Sequence, residues 1–392
     1  MKNMKAVKLR DNIYWVGAID WDSRNFHGYL TQRGITYNAY LIIDEKITLI
    51  DTVKEHFSDE MIKRISSVID PSKIDYIISN HVEMDHSGAI PKMMEIAKNA
   101  ELITCPNGEK GLTAHYKRNF NHRIVKTGEV LNLGKRNLQF VLTPMVHWPD
   151  NMVEYMPEEK ILFSNDSFGQ HYASSGRFDY ENSKDIIIDE AKKYFANIVL
   201  PYSAQVRKEL EVAASLDIEI IASSHGVVWE KYTKEIIEEY KKWASNKINK
   251  KAVIIYDTMW HSTEKMAYAV QEVFEEKGYY TSMKNLQNNH ISDIMTDLID
   301  AEYICVGSPT LNNNIMPNVA SFLTYLKGLS PRGRKAIAFG SFGWGGQSVA
   351  QVADYLKDSG FDVINMYKQK YIPAENDLIN LKNKLTEDLA SN

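Results

Sequence analysis

The sequence predicts two domains of different fold class, an α+β sandwich followed by an α/β domain with a parallel sheet. In the last third of the chain, apolar strand-like runs alternate regularly with helix-like runs. Repeating strand–helix units of this kind form doubly wound parallel sheets with right-handed crossovers. Earlier in the chain, strand-like runs at 38–44 and 46–51 follow each other directly and read as antiparallel strands. They are mixed with helix-like runs at 58–69 and 88–99, a combination that fits an αββα sandwich.

A short polar stretch separates the two patterns. It extends from Trp243 to Lys251, after a helix-like run at 232–243 and before a strongly apolar strand that starts at Ala252. Domain boundaries commonly fall in such polar segments. We therefore expect a first domain of residues 1–249 and a second domain of residues 250–392.

Length and composition are those of an ordinary globular protein. The chain has 392 residues, of which 44% are hydrophobic and 25% charged, and its net charge is −5. That charge, with no basic block, argues weakly against nucleic-acid binding. The first residues are not followed by an apolar signal core, and no run approaches the ~18 apolar residues of a membrane span. We expect a cytoplasmic protein without a membrane segment.

Cysteine usage excludes several kinds of site. The only two cysteines, Cys105 and Cys305, lie far apart in the two predicted domains, and neither belongs to a CxxC pair. A disulfide framework, a zinc ribbon and a cysteine-ligated iron–sulfur cluster are therefore unsupported.

Four potential metal ligands lie within six residues, directly after an apolar run at 76–79. They are His81, Glu83, Asp85 and His86. In extended backbone, residues i and i+2 point the same way, so His81 and Glu83 can bind one ion together. Asp85 and His86 follow where the chain bends into a helix predicted to begin near residue 87, and they can face a second ion. The segment therefore predicts a site for two metal ions.

Four ligands cannot complete two coordination spheres, so further ligands must come from elsewhere. His147, Asp166 and His225 each follow an apolar strand-like run, which is the usual place for sites in sheet-based folds. Taken singly, each is more often a structural hydrogen-bonding group. Together with the six-residue cluster they become candidate ligands.

The ordered pattern of these seven residues resembles that of the flavodiiron proteins, a branch of the metallo-β-lactamase fold. Most hydrolases of that fold carry H-x-H-x-D-H around zinc, whereas the third position here is Glu83. Zinc sites favour imidazole and thiolate, and oxidised iron gains from anionic oxygen donors. The departure from the zinc pattern therefore favours iron.

The resemblance implies a role for each ligand. His81, Glu83 and His147 would bind the first iron, Asp85, His86 and His225 the second, and Asp166 would bridge the two. Two ions in such sites lie roughly 3.5–4 Å apart, close enough to bind one diatomic molecule or two side by side. The arrangement suits oxygen or nitric oxide chemistry.

The second domain is expected to be flavodoxin-like because it contains five strand–helix pairs. In chain order, the predicted pairs are 252–256 with 262–277, 279–286 with 291–301, 303–307 with 317–329, 335–340 with 347–357, and 363–371 with 375–389.

The first of three loops at strand ends carries hydroxyl groups at a helix N-terminus, where free N–H groups and the helix dipole attract phosphate. It resembles the T-x-T-G-x-T phosphate loop of flavodoxins, with Trp260 in place of the second Thr and His261 where Gly is usual. Its candidate cofactor-binding residues are Thr258, Met259, Trp260, His261, Ser262 and Thr263.

The other two loops resemble the segments that enclose a flavin ring. Glycine lets the backbone approach a planar ring closely, and Trp344 can stack on it. One such turn alone is more often a helix-entry loop, but three at the proper strand ends favour FMN. FAD is less favoured because one five-stranded domain offers no second nucleotide site. The candidates are Ser308, Pro309, Thr310, Leu311, Asn312 and Asn313, and then Ser341, Phe342, Gly343, Trp344, Gly345 and Gly346.

Two further residues are candidates for proton delivery. His27 and Tyr194 occur where family members place side chains near the open face of the irons, and either could donate a proton to a bound oxygen species. Both residue types are equally common as satisfied, semi-buried polar groups.

The resemblance implies an oxidoreductase that reduces O2 to water, NO to N2O, or both. Electrons would pass from an external donor through FMN to a non-heme diiron centre, the donor being rubredoxin or, as second choice, reduced coenzyme F420. A head-to-tail homodimer, possibly a tetramer, would bring the FMN of one subunit to the irons of the other. Two alternatives remain open: a zinc-dependent hydrolase fused to a flavodoxin module, and a flavin- and diiron-containing gas sensor.

Overall fold

The computed structural model describes residues 4–329 and 331–391, which divide into two compact units. The first unit runs to His27 and continues over Thr31–Phe195 and Tyr202–Lys241. The second comprises Gly28–Leu30, Ala196–Pro201 and the chain from Lys242 onward. The second unit therefore takes in three short segments that the sequence placed in the first domain, which are residues 28–30, 196–201 and 242–249. The limits 1–249 and 250–392 remain a prediction for independently folding domains.

The strands are short in the first unit and longer in the second. In chain order they are β1 (Val7–Arg10), β2 (Ile13–Trp15), β3 (Ala18–Asp20), β4 (Asn25–Phe26), β5 (Tyr29–Leu30), β6 (Ile35–Tyr37), β7 (Tyr40–Ile42), β8 (Thr48–Ile50), β9 (Tyr76–Ile78), β10 (Glu101–Thr104), β11 (His122–Ile124), β12 (Val130–Asn132), β13 (Asn137–Leu142), β14 (Met152–Met156), β15 (Ile161–Asn165), β16 (Ile220–Ser223), β17 (Asn249–Tyr256), β18 (Tyr280–Asn285), β19 (Ala301–Gly307), β20 (Lys335–Phe342) and β21 (Asp362–Lys370).

The helices vary from one turn to nearly five. They are α1 (Ser58–Ser66), α2 (Met84–Ser87), α3 (Ile90–Ile96), α4 (Pro106–Tyr116), α5 (Lys184–Tyr194), α6 (Ser203–Ala213), α7 (Thr233–Ala244), α8 (Ser262–Glu276), α9 (Ile291–Leu298), α10 (Pro317–Leu329), α11 (Ser348–Asp358) and α12 (Glu375–Ser391). None of the helices in the described part of the chain combines the length and apolar character needed to cross a membrane.

Two large sheets form the core of the first unit, beside a small two-stranded sheet of β3 and β6. One has the strand order β1-β2-β7-β8-β9-β10-β11 and the other β12-β13-β14-β15-β16. A single buried cluster joins them, with Ile50 and Ile103 from the first sheet packed with Phe140, Phe163 and Ile220 from the second. The predicted αββα sandwich is thereby confirmed.

Strand direction brings the ends of several strands to one edge of each sheet. In the first sheet β8, β9 and β10 are mutually parallel. In the second sheet β15 and β16 are parallel, while β13 and β15 both run antiparallel to the β14 between them. The carboxyl ends of β13, β15 and β16 therefore lie at the same edge, and loops that follow these strands can meet there.

The helix after β9 begins earlier than predicted. Its start was expected near residue 87, but α2 begins at Met84 and so carries Asp85 and His86 on its only turn. The carbonyl of Glu83 accepts hydrogen bonds from the N–H groups of both His86 and Ser87, which closes the turn directly behind the extended segment. Local hydrogen bonding, which residue spacing does not reveal, sets this start.

The second unit contains a five-stranded sheet with the order β18-β17-β19-β20-β21, in which every paired strand is parallel. The predicted flavodoxin-like, doubly wound sheet is thereby confirmed. Strand β20 extends two residues beyond its predicted end, because pairing with β21 continues through Ser341 and Phe342. These two residues lie at the strand end, not in the following loop.

Strand β20 passes close to the loop after β19 at Gly340. A Cβ atom added to Gly340 would lie 1.9 Å from the carbonyl oxygen of Ser308. We expect Gly340→Ala to lower the free energy of unfolding of this unit by about 1–3 kcal/mol through overpacking. Chemical denaturation measures this, with Gly328→Ala in α10 as the control, because nothing lies within 4 Å of its added Cβ. Equal stability of the two variants would contradict the close approach.

Candidate metal centre and flavin site

The seven predicted metal ligands converge at the shared edge of the two sheets in the first unit. His81 and Glu83 lie in the extended segment after β9, and Asp85 and His86 lie on α2. The loops after β13, β15 and β16 contribute the other three, which are His147, Asp166 and His225. Five of the seven are almost completely buried, and the side chains of Glu83 and His147 are only 12% and 14% exposed.

Asp166 lies between two groups of ligands and turns one oxygen toward each. Its Oδ2 lies 3.8 Å from Nε2 of His81 and 3.4 Å from Nε2 of His147. Its Oδ1 lies 3.2 Å from Nε2 of His86 and 3.4 Å from Nε2 of His225. A carboxylate placed in this way can bridge two ions.

Each group is completed by a second carboxylate. Glu83 Oε2 lies 3.3 Å from His81 Nε2 and 3.7 Å from His147 Nε2. On the other side, Asp85 lies 3.4 Å from Nε2 of both His86 and His225. The candidate ligand atoms of His81, His147 and Asp166 all lie within 4.8 Å of one another, as do those of Asp85, His86 and His225. The structure thus brings together the two ligand sets that the resemblance implied.

Hydrogen bonds on the far side of two imidazole rings orient them. His81 Nδ1 donates to Asp150 Oδ2 at 3.0 Å, and the same oxygen accepts the N–H of Val82 at 2.7 Å. His225 Nδ1 donates to the carbonyl oxygen of Thr36 at 2.7 Å. In both rings Nε2 is therefore the nitrogen that faces the ligand group. Partners of this kind fix the tautomer of a metal-binding histidine.

Sequence reasoning did not find these orienting groups. Asp150 stands three residues after His147, and its position shortly after a candidate ligand was the one available signal. The carbonyl of Thr36 has no side-chain signature at all. Nor did sequence reasoning find His171, whose buried ring packs edge-on to His225 at 5.2 Å and to Tyr194 at 4.9 Å between ring centroids. Burial and the neighbouring His225 hold the pKa of His171 well below its usual value, so this ring is neutral.

The donor set fits two cations. Both carboxylate oxygens of Asp85 and of Asp166 are buried and meet no hydrogen-bond partner within the described chain, and the same is true of His86 Nδ1. Burying a carboxylate without a partner is strongly unfavourable unless a cation compensates it. Four imidazoles and three carboxylates converging on two points suit a pair of divalent ions of the iron type.

Proton affinities lead to the same requirement for positive charge. Burial opposes a charged imidazole, but hydrogen bonds to Asp150 and Glu83 and the nearby Asp166 raise the pKa of His81 to about 10. Burial also opposes ionisation of Asp166, yet His86, His147 and His225 hold the pKa of Asp166 well below its usual value. Both shifts show that these buried groups are stabilised by positive charge at the site, which bound metal ions would supply.

A cavity of about 510 Å³ opens beside the ligands. It is lined by Asn25, Phe26, His27, Lys54, Glu55, His56, Glu83, Met84, Asp85, Gly88, His115 and Trp148. His27 is 72% exposed and its Nε2 lies 2.9 Å from Glu83 Oε1. Tyr194 is buried, and its ring centroid lies 5.9 Å from that of His225. Of the two candidates for proton delivery, His27 is the one that lines the cavity.

In the second unit, the three predicted flavin loops follow β17, β19 and β20 and surround a cavity of about 520 Å³. Its lining includes eleven of the predicted residues, which are Met259, Trp260, Ser262, Pro309, Thr310, Leu311, Asn312, Ser341, Phe342, Gly343 and Trp344. Tyr371 and Ile372, directly after β21, complete the lining and were not predicted. Their position at the carboxyl end of a fourth parallel strand, beside the three predicted loops, could have indicated that they line the cavity.

The remaining predicted flavin residues support the loops. Gly345 and Gly346 have φ values of +79° and +72°, a conformation that glycine adopts freely. His261 also has positive φ, and its Nδ1 lies 2.7 Å from Glu264 Oε2. Thr263 and Ser341 share a hydrogen bond of 2.8 Å. Thr258, Ser308 and Asn313 lie outside the cavity lining.

One buried hydroxyl indicates where a phosphate would bind. Thr258 is 6% exposed, and its Oγ1 meets no hydrogen-bond partner within the described chain. It stands just before the N-terminus of α8, where free backbone N–H groups attract anions. The largely apolar cavity beside it suits a planar ring. Together these features fit FMN.

Comparisons with known proteins assign both units. Residues 35–226 match the family described as ODP family beta lactamase, and residues 254–388 match flavodoxin. The crystal structure of the flavodiiron protein from Giardia intestinalis superposes with a TM-score of 0.93 at 35% identity, over 98% of this chain and 97% of that one. This chain belongs to the flavodiiron proteins.

Two relatives of this flavodiiron protein have names that state an activity. The rubredoxin oxygen:oxidoreductase from Desulfovibrio gigas superposes with a TM-score of 0.94 at 42% identity, over 98% of this chain and 100% of that one. A nitric oxide reductase from Moorella thermoacetica is 45% identical over 365 residues, 92% of each chain. The flavodiiron protein described here is likewise an oxidoreductase, and the family resemblance inferred from its motifs is confirmed.

The bridging position of Asp166 yields a prediction about metal content. Asp166→Ala removes a ligand from both groups, so we expect both ions to be lost. His147→Ala removes a ligand only from the first group, so about one ion per chain should remain. Elemental analysis of protein produced with ample iron measures both, and circular dichroism checks that each variant is folded. Two ions retained in Asp166→Ala would contradict the bridging role.

Proposed function

We propose that this flavodiiron protein reduces O2 to water, NO to N2O, or both, at a non-heme diiron centre supplied with electrons through FMN. The observation that carries the proposal is the placement of Asp166, with one oxygen toward each of two His–carboxylate groups. A pair of ions held side by side is suited to binding a diatomic gas.

Each of the two groups of candidate ligands would bind one iron. His81, Glu83 and His147 would hold one iron, and Asp85, His86 and His225 the other, with Asp166 shared. When bound, the iron pair would bind and polarise the gas, and FMN would store the electrons that reduce it. Glu83 supports iron over zinc, since it places an anionic oxygen where zinc hydrolases of this fold carry imidazole.

His27 and Tyr194 would handle protons in different ways. His27 lines the cavity, is exposed at its rim and lies within hydrogen-bond distance of Glu83, so its ring can exchange protons with solvent beside the ligands. Tyr194 is buried, and burial together with Asp166 raises its pKa well above the usual value. A phenol that stays protonated can donate a hydrogen bond but gives up its proton reluctantly. We therefore assign proton delivery first to His27.

The FMN would lie in the second unit, with its phosphate near Thr258, Ser262 and the N-terminus of α8. The electron donor is proposed to be a separate protein or a reduced cofactor. The name of the Desulfovibrio gigas relative, rubredoxin oxygen:oxidoreductase, supports rubredoxin, and reduced coenzyme F420 is the second choice. A cytoplasmic location belongs to the same proposal.

We further propose a head-to-tail homodimer in which the FMN of one subunit serves the irons of the other, with a tetramer made of two such dimers as an extension. Support comes from the rim of the flavin cavity, which exposes Trp260, Trp344, Tyr371 and Ile372 by 84%, 80%, 62% and 67%. Contiguous exposed apolar surface of this kind usually marks an interface. Met84, at the metal cavity, is also half exposed.

Gas consumption tests the function. Protein containing iron and FMN, given reduced rubredoxin under anaerobic conditions, should consume added O2, NO or both at a rate proportional to its iron content. The same chain loaded with zinc should consume neither gas. Absence of consumption by the iron- and FMN-replete protein would refute the proposal, and ester or phosphodiester hydrolysis by the zinc form would favour the hydrolase.

Weakening the dimer should abolish turnover while leaving the cofactors bound. Ile372→Asp places a charge on the rim of the flavin cavity, and sedimentation should then show monomers that retain iron and FMN but consume little gas. Ile379→Asp is the matched control, because Ile379 is 42% exposed on α12 and lies outside the cavity lining. Undiminished turnover in a verified monomer would refute the head-to-tail arrangement.

A further inference from the structure

We infer that Asp51 is a positioning residue that ties together the loops bearing His81, Asp166 and His225. The inference rests on the metal centre of the proposed function. Asp51 directly follows β8 and is only 2% exposed. None of the sequence motifs marks it.

The carboxylate of Asp51 contacts the residue that precedes each of three ligands. Its Oδ1 accepts a hydrogen bond from the backbone N–H of Asn80 at 2.9 Å, and its Oδ2 lies 3.3 Å from the side-chain Nδ2 of Asn80. Asn165 Nδ2 and Ser224 Oγ each donate to Oδ2 at 3.4 Å. Asn80, Asn165 and Ser224 stand immediately before His81, Asp166 and His225.

These contacts connect the two sheets. Asp51 and Asn80 follow β8 and β9 of the seven-stranded sheet, whereas Asn165 ends β15 of the five-stranded sheet and Ser224 follows β16. Further bonds extend the connection, since Ser224 N–H donates to the Asn165 carbonyl at 2.7 Å and Asn151 Nδ2 to Asn165 Oδ1 at 2.6 Å. Both ligand groups require loops from both sheets, so a tie across the sheets sets their spacing.

The backbone at Asp51 is held in an uncommon conformation. Its φ is +55°, which lies in the left-handed region that residues other than glycine rarely adopt. The Asp51 N–H donates to the Ile78 carbonyl at 2.9 Å, continuing the pairing of β8 with β9. Such a conformation persists only where the surrounding structure determines it, and it often marks a functional position. Here it turns the carboxylate toward Asn80, Asn165 and Ser224.

A second buried carboxyl group in the same network does not have this reach. Glu154 Oε2 accepts only from Asn80 Nδ2, at 3.0 Å, and its Oε1 meets no partner within the described chain. In the described part of the chain it bonds to neither Asn165 nor Ser224. Glu154 is therefore a matched control: equally buried, equally acidic in type, but joined to one loop only.

Asp51→Asn is the sharpest test, because the asparagine amide has the same shape as the carboxylate. Its NH2 group would face N–H and O–H donors and could not accept their hydrogen bonds. With Co(II) as the probe, the wild-type chain should bind two ions and show the visible absorption of Co(II) at protein sites. The variant should bind both ions at least about 10-fold more weakly, as changes to partners behind metal ligands commonly do. Glu154→Gln should match the wild type.

The outcomes separate this inference from the proposed metal centre. Wild-type protein that binds no Co(II) would contradict both the proposed metal centre and the inference about Asp51. Two ions bound by Asp51→Asn with wild-type affinity and an unchanged spectrum would overturn the inference alone. So would an equal loss of affinity in Glu154→Gln, since burial and not the three-loop tie would then explain the effect.

A milder variant decides the matter if Asp51→Asn does not fold, which loss of the circular dichroism signal would show. Ser224→Ala removes the bond from Ser224 Oγ to Asp51 and the 3.3 Å bond that Asn165 Nδ2 donates to the same hydroxyl. Because Ser224 directly precedes His225, the variant should weaken Co(II) binding at the second group more than at the first, giving a two-phase Co(II) titration. A single-phase titration with wild-type affinity would overturn the inference.

Discussion

The metal-binding unit depends on one buried side chain, the carboxylate of Asp166, which lies between two clusters of imidazole and carboxylate groups. Three carboxylates packed this closely away from water repel one another and lose their hydration. Positive charge must compensate them, and the converging Nε2 atoms of four histidines limit where it can sit. The arrangement is unfavourable as ordinary protein interior and becomes favourable when cations occupy it, which is why it reads as a metal centre and not as a hydrogen-bond network.

The fold produces this arrangement by joining two sheets at one edge. Parallel strands in each sheet end on the same side, so loops that are distant in sequence come within hydrogen-bond distance of one another. Side chains on these loops would still move unless hydrogen bonds held the rings and the loop backbones in place. Asp150 and the carbonyl of Thr36 orient two rings, and Asp51 connects three loops. The second unit uses the same property of parallel strands to gather its loops around an apolar cavity.

Local patterns in the sequence predicted much of this. The six-residue cluster after β9 and three polar residues after apolar runs predicted the seven side chains that the structure brings together, and strand–helix alternation predicted the parallel sheet. Long-range contacts were not predictable. His81 and Asp150 are 69 residues apart and His225 and Thr36 are 189 apart, so spacing carries no trace of either bond. The start of α2 at Met84 and the lining residues Tyr371 and Ile372 were missed because backbone hydrogen bonding and strand register, not residue type, determine them.

The most direct test of the central claim is X-ray absorption spectroscopy at the iron edge of the iron-loaded protein. If Asp166 bridges two ions, the spectrum will show nitrogen and oxygen neighbours only, with an iron–iron distance of about 3.5–4 Å. Iron that shows no metal–metal scattering, or that carries sulfur neighbours, would contradict a carboxylate-bridged pair at this site.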